Sequence, residues 1–196
     1  MFNRLSIAAA IAFCSLFTSS ALACAWSLEQ QSARLSFASV KNDHIAEMHR
    51  FTALSGAWAG SNISIRIPVS SLDTLIPIRN ERMAEHLFNA AEYPIISVTA
   101  NLQPSQIATL KVGDSLILEL VLTLEIAGQR GQVPAMVQIV KATEKRLLAS
   151  TVQPIMIAGN TFGLTEGIEK LRELAGLSSI DLVVPVTFSV AFTQPG

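Results

Sequence analysis

The sequence predicts a mainly β domain, an antiparallel barrel of about eight strands with two short helices, set behind a signal peptide at residues 1–23. Three observations predict it. From Ala33 onward apolar residues recur mostly at every second position, the period of half-buried strands. Two of these runs are long: Leu116, Leu118, Leu120, Leu122, Leu124 and Ile126 form one, and Ile180, Leu182, Val184, Val186, Phe188, Val190 and Phe192 the other. Both exceed the usual strand of about five to six residues. Each long run opposes its apolar side with a face carrying Glu119, Thr123 and Glu125, or Asp181, Thr187 and Ser189. A sheet with one wholly apolar face gains an interior, and loses its edges, by curling on itself. With about eight strands the interior is filled by its own side chains or holds one slender ligand.

The chain begins with Arg4, an apolar stretch from Ile7 to Phe17, the polar Thr18-Ser19-Ser20, and the small-x-small sequence Ala21-Leu22-Ala23. This is the order of a secretory signal, and its apolar core is too short for a stable membrane anchor. It predicts export to the periplasm, with a domain over residues 24–196. Cys14 lies in the leader and Cys24 directly follows it, so the mature domain has at most one thiol and no internal disulfide. Two readings of Cys24 stay open: a plain mature N-terminus, or a lipid-accepting cysteine that tethers the protein to a membrane. The lipoprotein signal usually places Leu three residues before the cysteine, whereas here Leu22 is two before and Ala21 is third.

Charge narrows the partners. The 14 basic and 15 acidic side chains give a net charge of −1, and no cationic field is left to bind nucleic acid. Half of the residues are apolar and 15% are charged, against about 25% charged in an average soluble domain.

Along the domain, Leu35 and Phe37 alternate with Arg34 and Ser36. Ile63, Ile65, Ile67 and Val69 repeat the pattern, as do Ile96, Val98, Ala100 and Leu102. A first helix is predicted over about Arg79 to Ala91, closed by Tyr93-Pro94. Met83, Ala84, Leu87, Phe88 and Ala91 make its apolar arc, with Arg79, Arg82 and His86 on one basic stripe at i, i+3, i+7. A second helix starts near Thr165 and stops at Gly176. An outer-membrane barrel would need aromatic girdles at both interfaces, and Tyr93 is the single tyrosine.

No nucleophile elbow, phosphate-binding Gly-rich loop or Cys-x-x-Cys pair occurs. His44 and His49 flank Glu47 with the wrong spacing for a metal motif, and on one strand they face opposite ways. No metal, cofactor or catalytic residue is expected. The stripe Arg79, Arg82, His86 is either a solvated face beside Glu81 and Glu85 or a grip for an anionic head group.

The order of motifs resembles the YceI-like family. The match runs through Trp26-Ser-Leu28, Leu35-Ser-Phe37-Ala-Ser-Val-Lys41, Phe51 with Leu54-Ser-Gly56, and Val69-Ser-Ser-Leu-Asp-Thr74. It continues through Ile78-Arg-Asn-Glu-Arg-Met83, His86-Leu-Phe88, Tyr93-Pro94, Leu122-Thr-Leu124 with Gly128, and Phe162-Gly-Leu164. The chain departs from the pattern at Asn80, where Asp is common, and at Leu87, where Phe is common. The resemblance implies a lipocalin-like barrel that binds a polyisoprenoid or other lipid without turning it over, for carriage, storage or sequestration. The candidate lining residues are Phe37, Phe51, Trp58, Phe88, Leu120, Leu122, Phe162, Phe188 and Phe192. The rival expectation is a structural or interaction module with a self-filled barrel serving a membrane redox or stress system. A homodimer stays open.

Overall fold

The computed structural model describes residues 25–194, so the expected signal segment over 1–23 and Cys24 lie outside the described residues. Twelve strands form one antiparallel sheet. They are β1 (Trp26–Leu28), β2 (Arg34–Lys41), β3 (Ile45–Phe51), β4 (Ser55–Ala59), β5 (Asn62–Pro68), β6 (Leu72–Asp73), β7 (Ile95–Asn101), β8 (Ser115–Ile126), β9 (Gln129–Thr143), β10 (Arg146–Thr151), β11 (Ile155–Ala158) and β12 (Val183–Thr193). The pairing runs β1–β4–β5–β7–β8–β9–β10–β12 and returns from β12 to β1, which closes a barrel of eight strands.

β12 is the hub of this closure. One of its edges pairs with β10 and then β11, and the other pairs with β1 and then β2. β2 continues the wall through β3 to β6. β8 and β9, the longest partners, are joined at Ala127-Gly128, both at positive φ (48° and 76°), the signature of a tight hairpin turn whose twist matches the strands. Gly128 is required for a second reason: a Cβ there would lie 2.6 Å from the Tyr93 ring.

Period two places the core. Leu120, Leu122, Leu124 and Ile126 of β8 point inward and are buried, while Glu119 and Glu125 point out and are exposed. Each such side chain withdrawn from water contributes about 1.5–3 kcal/mol. The predicted strand from Ile180 to Phe192 starts later, at Val183. The preceding residues are engaged elsewhere: Ile180 bridges Lys41, the Asp181 N–H donates to the Val40 carbonyl, and the Leu182 carbonyl accepts from Gly159.

Two helical segments cap one end. α1 spans Pro77–Arg82, with proline in the first turn where its missing N–H costs nothing. It passes directly into a π-helical turn over Met83–Leu87, in which the Phe88 N–H donates to the Met83 carbonyl. The predicted helix over Arg79 to Ala91 therefore begins earlier and ends sooner. α2 spans Thr165–Ala175 and stops at Gly176 in the left-handed conformation (φ 63°). α2 lies on the π turn so closely that a Cβ on Gly167 would come within 2.5 Å of the His86 carbonyl oxygen.

Candidate functional site

The barrel encloses a cavity of about 540 Å³, inside the range of about 300–1,000 Å³ that holds small ligands. Its wall is almost wholly apolar and draws on every strand of the ring except β1. Of the residues expected from sequence, Phe37, Phe51, Trp58, Phe88, Leu120, Leu122, Phe188 and Phe192 line it. Phe51 is the centre of an aromatic group, with ring centroids 5.8 Å from Phe37 and 6.2 Å from Phe88. Trp58 donates its indole N–H to the Leu102 carbonyl at 3.2 Å, which satisfies the one polar atom of an otherwise buried side chain.

Phe162 departs from expectation. It is 0% exposed but does not line the cavity: it sits in the turn Gly159–Phe162 with its ring against the backbone of β9 at Gly131, where a Cβ would lie 2.9 Å from the ring edge. Its role is to pack that turn on the barrel wall.

One region of the wall is polar. Ser39 and Lys41 of β2, Glu47 and His49 of β3, and Arg79 of α1 all line the cavity. Glu47 holds two cations on one oxygen, Oε2, with Lys41 Nζ at 2.9 Å and an Arg79 terminal nitrogen at 2.7 Å. Burial pushes the Glu47 carboxyl upward, but Lys41 and Arg79 outweigh it and hold the group below its ordinary range. Arg79 also donates to the Thr74 carbonyl at 2.6 Å, while Asn80 Oδ1 accepts from the Thr74 hydroxyl at 2.6 Å and its backbone N–H at 2.9 Å. The buried Thr74 thus fixes the start of α1 to the end of β6.

His49 is 4% exposed and shares a 2.9 Å hydrogen bond between its Nε2 and the Ser39 hydroxyl. Burial, then the nearby Arg79 charge, lower its pKa, which favours the neutral ring. Two buried polar atoms here have no partner, His49 Nδ1 and Arg79 Nε. Buried polar groups are nearly always bonded; both atoms lie beneath the accessible surface, so neither faces the chamber directly. His44, in contrast, stands exposed in the turn before β3.

The basic stripe is divided. Arg79 and Arg82 line the cavity, but His86 does not; it lies 3.9 Å from Glu85. The physical reason is the π turn, which inserts an extra residue and rotates everything after it out of α-helical phase. Sequence reasoning missed Ser39, Lys41, Glu47 and His49. The period-two signal contained them: Phe37, Ser39 and Lys41 share one face of β2, and Glu47, His49 and Phe51 one face of β3.

Among the lining residues Ile76 and Ile78 are also exposed, so the cavity reaches the surface beside α1. Leu177 and Asp181, which follow α2, line it as well. An antiparallel barrel wrapped around an apolar chamber, closed at its sides and approached past two helical segments, has the form of a lipocalin-like binding barrel.

The chain belongs to the YceI-like family, whose model matches residues 26–192. A polyisoprenoid binding domain from Saccharophagus degradans implicated in plant cell wall breakdown is 32% identical, with a TM-score of 0.85 over 89% of this chain and 99% of that one. BcnA from Burkholderia cenocepacia shares the fold at 17% identity, with a TM-score of 0.64 over 84% of this chain and 98% of that one. No curated protein matches the chain.

Proposed function

We propose that this protein is an exported, non-catalytic binding protein that holds a long apolar molecule, a polyisoprenoid or another lipid, inside its barrel for carriage, storage or sequestration in the periplasm. The observation that carries the reading is the chamber of about 540 Å³, apolar over most of its wall. A chain of methylenes gains about 0.8 kcal/mol for each one buried, so such a wall binds tightly without polar specificity. The 32% identical relative that is a polyisoprenoid binding domain supports the same class of ligand. The secretory order of Arg4, Ile7 to Phe17 and Ala21-Leu22-Ala23 supports export.

In this reading the polar end of the ligand lies among Ser39, Lys41, Glu47, His49 and Arg79, and Arg82 stands nearer the opening. Glu47 already balances Lys41 and Arg79 in part, so this end suits a neutral or singly charged terminus. Native mass spectrometry of the protein purified from the periplasm tests the proposal. The expected result is a co-purifying long-chain lipid; a ligand-free barrel that takes up no lipid would overturn it.

A further inference from the structure

The surface around the cavity mouth is apolar in a way that folding does not require. Leu75 is 79% exposed and has φ +63°, a left-handed conformation that a leucine adopts only under strain and that Asn or Gly fills readily. The turn is held from both sides: Asp73 Oδ1 accepts the Leu75 N–H at 2.9 Å, Arg50 grips the other oxygen of Asp73, and the buried Thr74 is fixed by Asn80. The structure therefore enforces the outward presentation of a large apolar side chain, a broken local rule that points to function.

The neighbours extend the patch. Ile76 and Ile78 are exposed and line the cavity, so the outer apolar surface is continuous with the inner one. Leu174, at the end of α2, is exposed too, and its carbonyl accepts from an Arg82 terminal nitrogen at 3.2 Å. Met48, 63% exposed, shares the outward face of β3 with Arg50, whose pairing with Asp73 directs that strand toward the Leu75 turn. Arg82 forms no ion pair among the described residues, which leaves a cation at the mouth beside the exposed apolar groups. Apolar side chains flanked by an arginine whose stem is apolar and whose head seeks phosphate are the chemistry of a bilayer interface.

We propose that the rim formed by Leu75, Ile76, Ile78 and Leu174 docks on a phospholipid bilayer, with Leu75 inserted among the acyl chains and Arg82 at the level of the phosphates. The inference rests on the reading of the cavity as a lipid site, and gives that cargo a path between bilayer and barrel that avoids water.

Co-sedimentation of the full chain with vesicles of phosphatidylethanolamine and phosphatidylglycerol tests it, beside uptake of a fluorescent long-chain fatty acid supplied in solution. Leu75→Asn and Leu174→Asn are combined, because neither residue lines the cavity and Asn fits φ +63° without strain. The wild type should sediment with vesicles and the double variant should bind about 100-fold more weakly, at about tenfold per lost side chain, with fatty-acid uptake unchanged. A wild type that ignores vesicles, or a variant that binds them equally, overturns the docking. If vesicle binding behaves as expected but neither protein takes up the fatty acid, the docking stands and the cavity reading falls.

Discussion

Replacing Ala149 with tryptophan should close the chamber without harming the fold. Ala149 lies on β10 between Ile139 and Val190, and its side chain lines the cavity. An indole placed there occupies space that is already empty, so it needs no displacement of the wall, in contrast to the overpacking of a filled core. It excludes about four to five methylenes of any chain threaded past it, at about 0.8 kcal/mol each. Affinity for a long-chain lipid should fall by about 3–4 kcal/mol, or about 10²- to 10³-fold, while the melting temperature holds or rises. Titration with a fluorescent long-chain fatty acid, paired with thermal unfolding, reads both. Unchanged affinity in a variant whose Tm is preserved would refute the placement of ligand in this chamber. Should Ala149→Trp fail to fold, Ala100→Phe, which lines the chamber from β7, tests the same reading.

Two further predictions concern the polar end. Arg79→Gln removes one of two cations on Glu47 and the bond to the Thr74 carbonyl; with both partners partly exposed, it should cost about 1–3 kcal/mol in urea unfolding, and no loss would show the contact to be idle. His49 has a lowered pKa in the fold, so the unfolded chain takes up its proton first as the pH falls. Its contribution is complete above the ordinary value of 6.5 and is lost below it, with a slope of up to about 1.4 kcal/mol per pH unit. Glu47, also lowered, adds a second loss below 4.5. Urea titrations at stepped pH should show the first phase in the wild type and not in His49→Gln; a slope that survives the substitution belongs to another group.

The barrel was legible because period two is a strong signal in strands with one buried face: Leu120, Leu122 and Leu124 announce both their strand and their inward side. The same logic, extended two residues beyond Phe37 and two before Phe51, reaches Lys41, Ser39, His49 and Glu47. What hid them was chemistry, since a polar residue on an apolar face is read first as solvent-facing. The division of Arg79 and Arg82 from His86 was not legible. A π turn differs from an α turn by one residue of hydrogen-bond spacing, and nothing in Met83–Leu87 marks that choice apart from its packing under α2. Phe162 misled for the converse reason: a buried aromatic belongs equally to a chamber wall and to the packing behind it, and only the fold distinguishes the two.

The position of β12 as hub sets an order of events. It is the last of the twelve described strands in the chain, and until it exists β10 lacks a partner on that side, β11 has none, and the gap between β10 and β1 stays open. The ring closes only through a pairing that spans nearly the whole described sequence, such as Ser27 with Thr193. Long-range closure of this kind is slow. A nascent chain of this protein therefore remains open until its final strand is made, and one truncated before Val183 has no closed ring and no enclosed chamber.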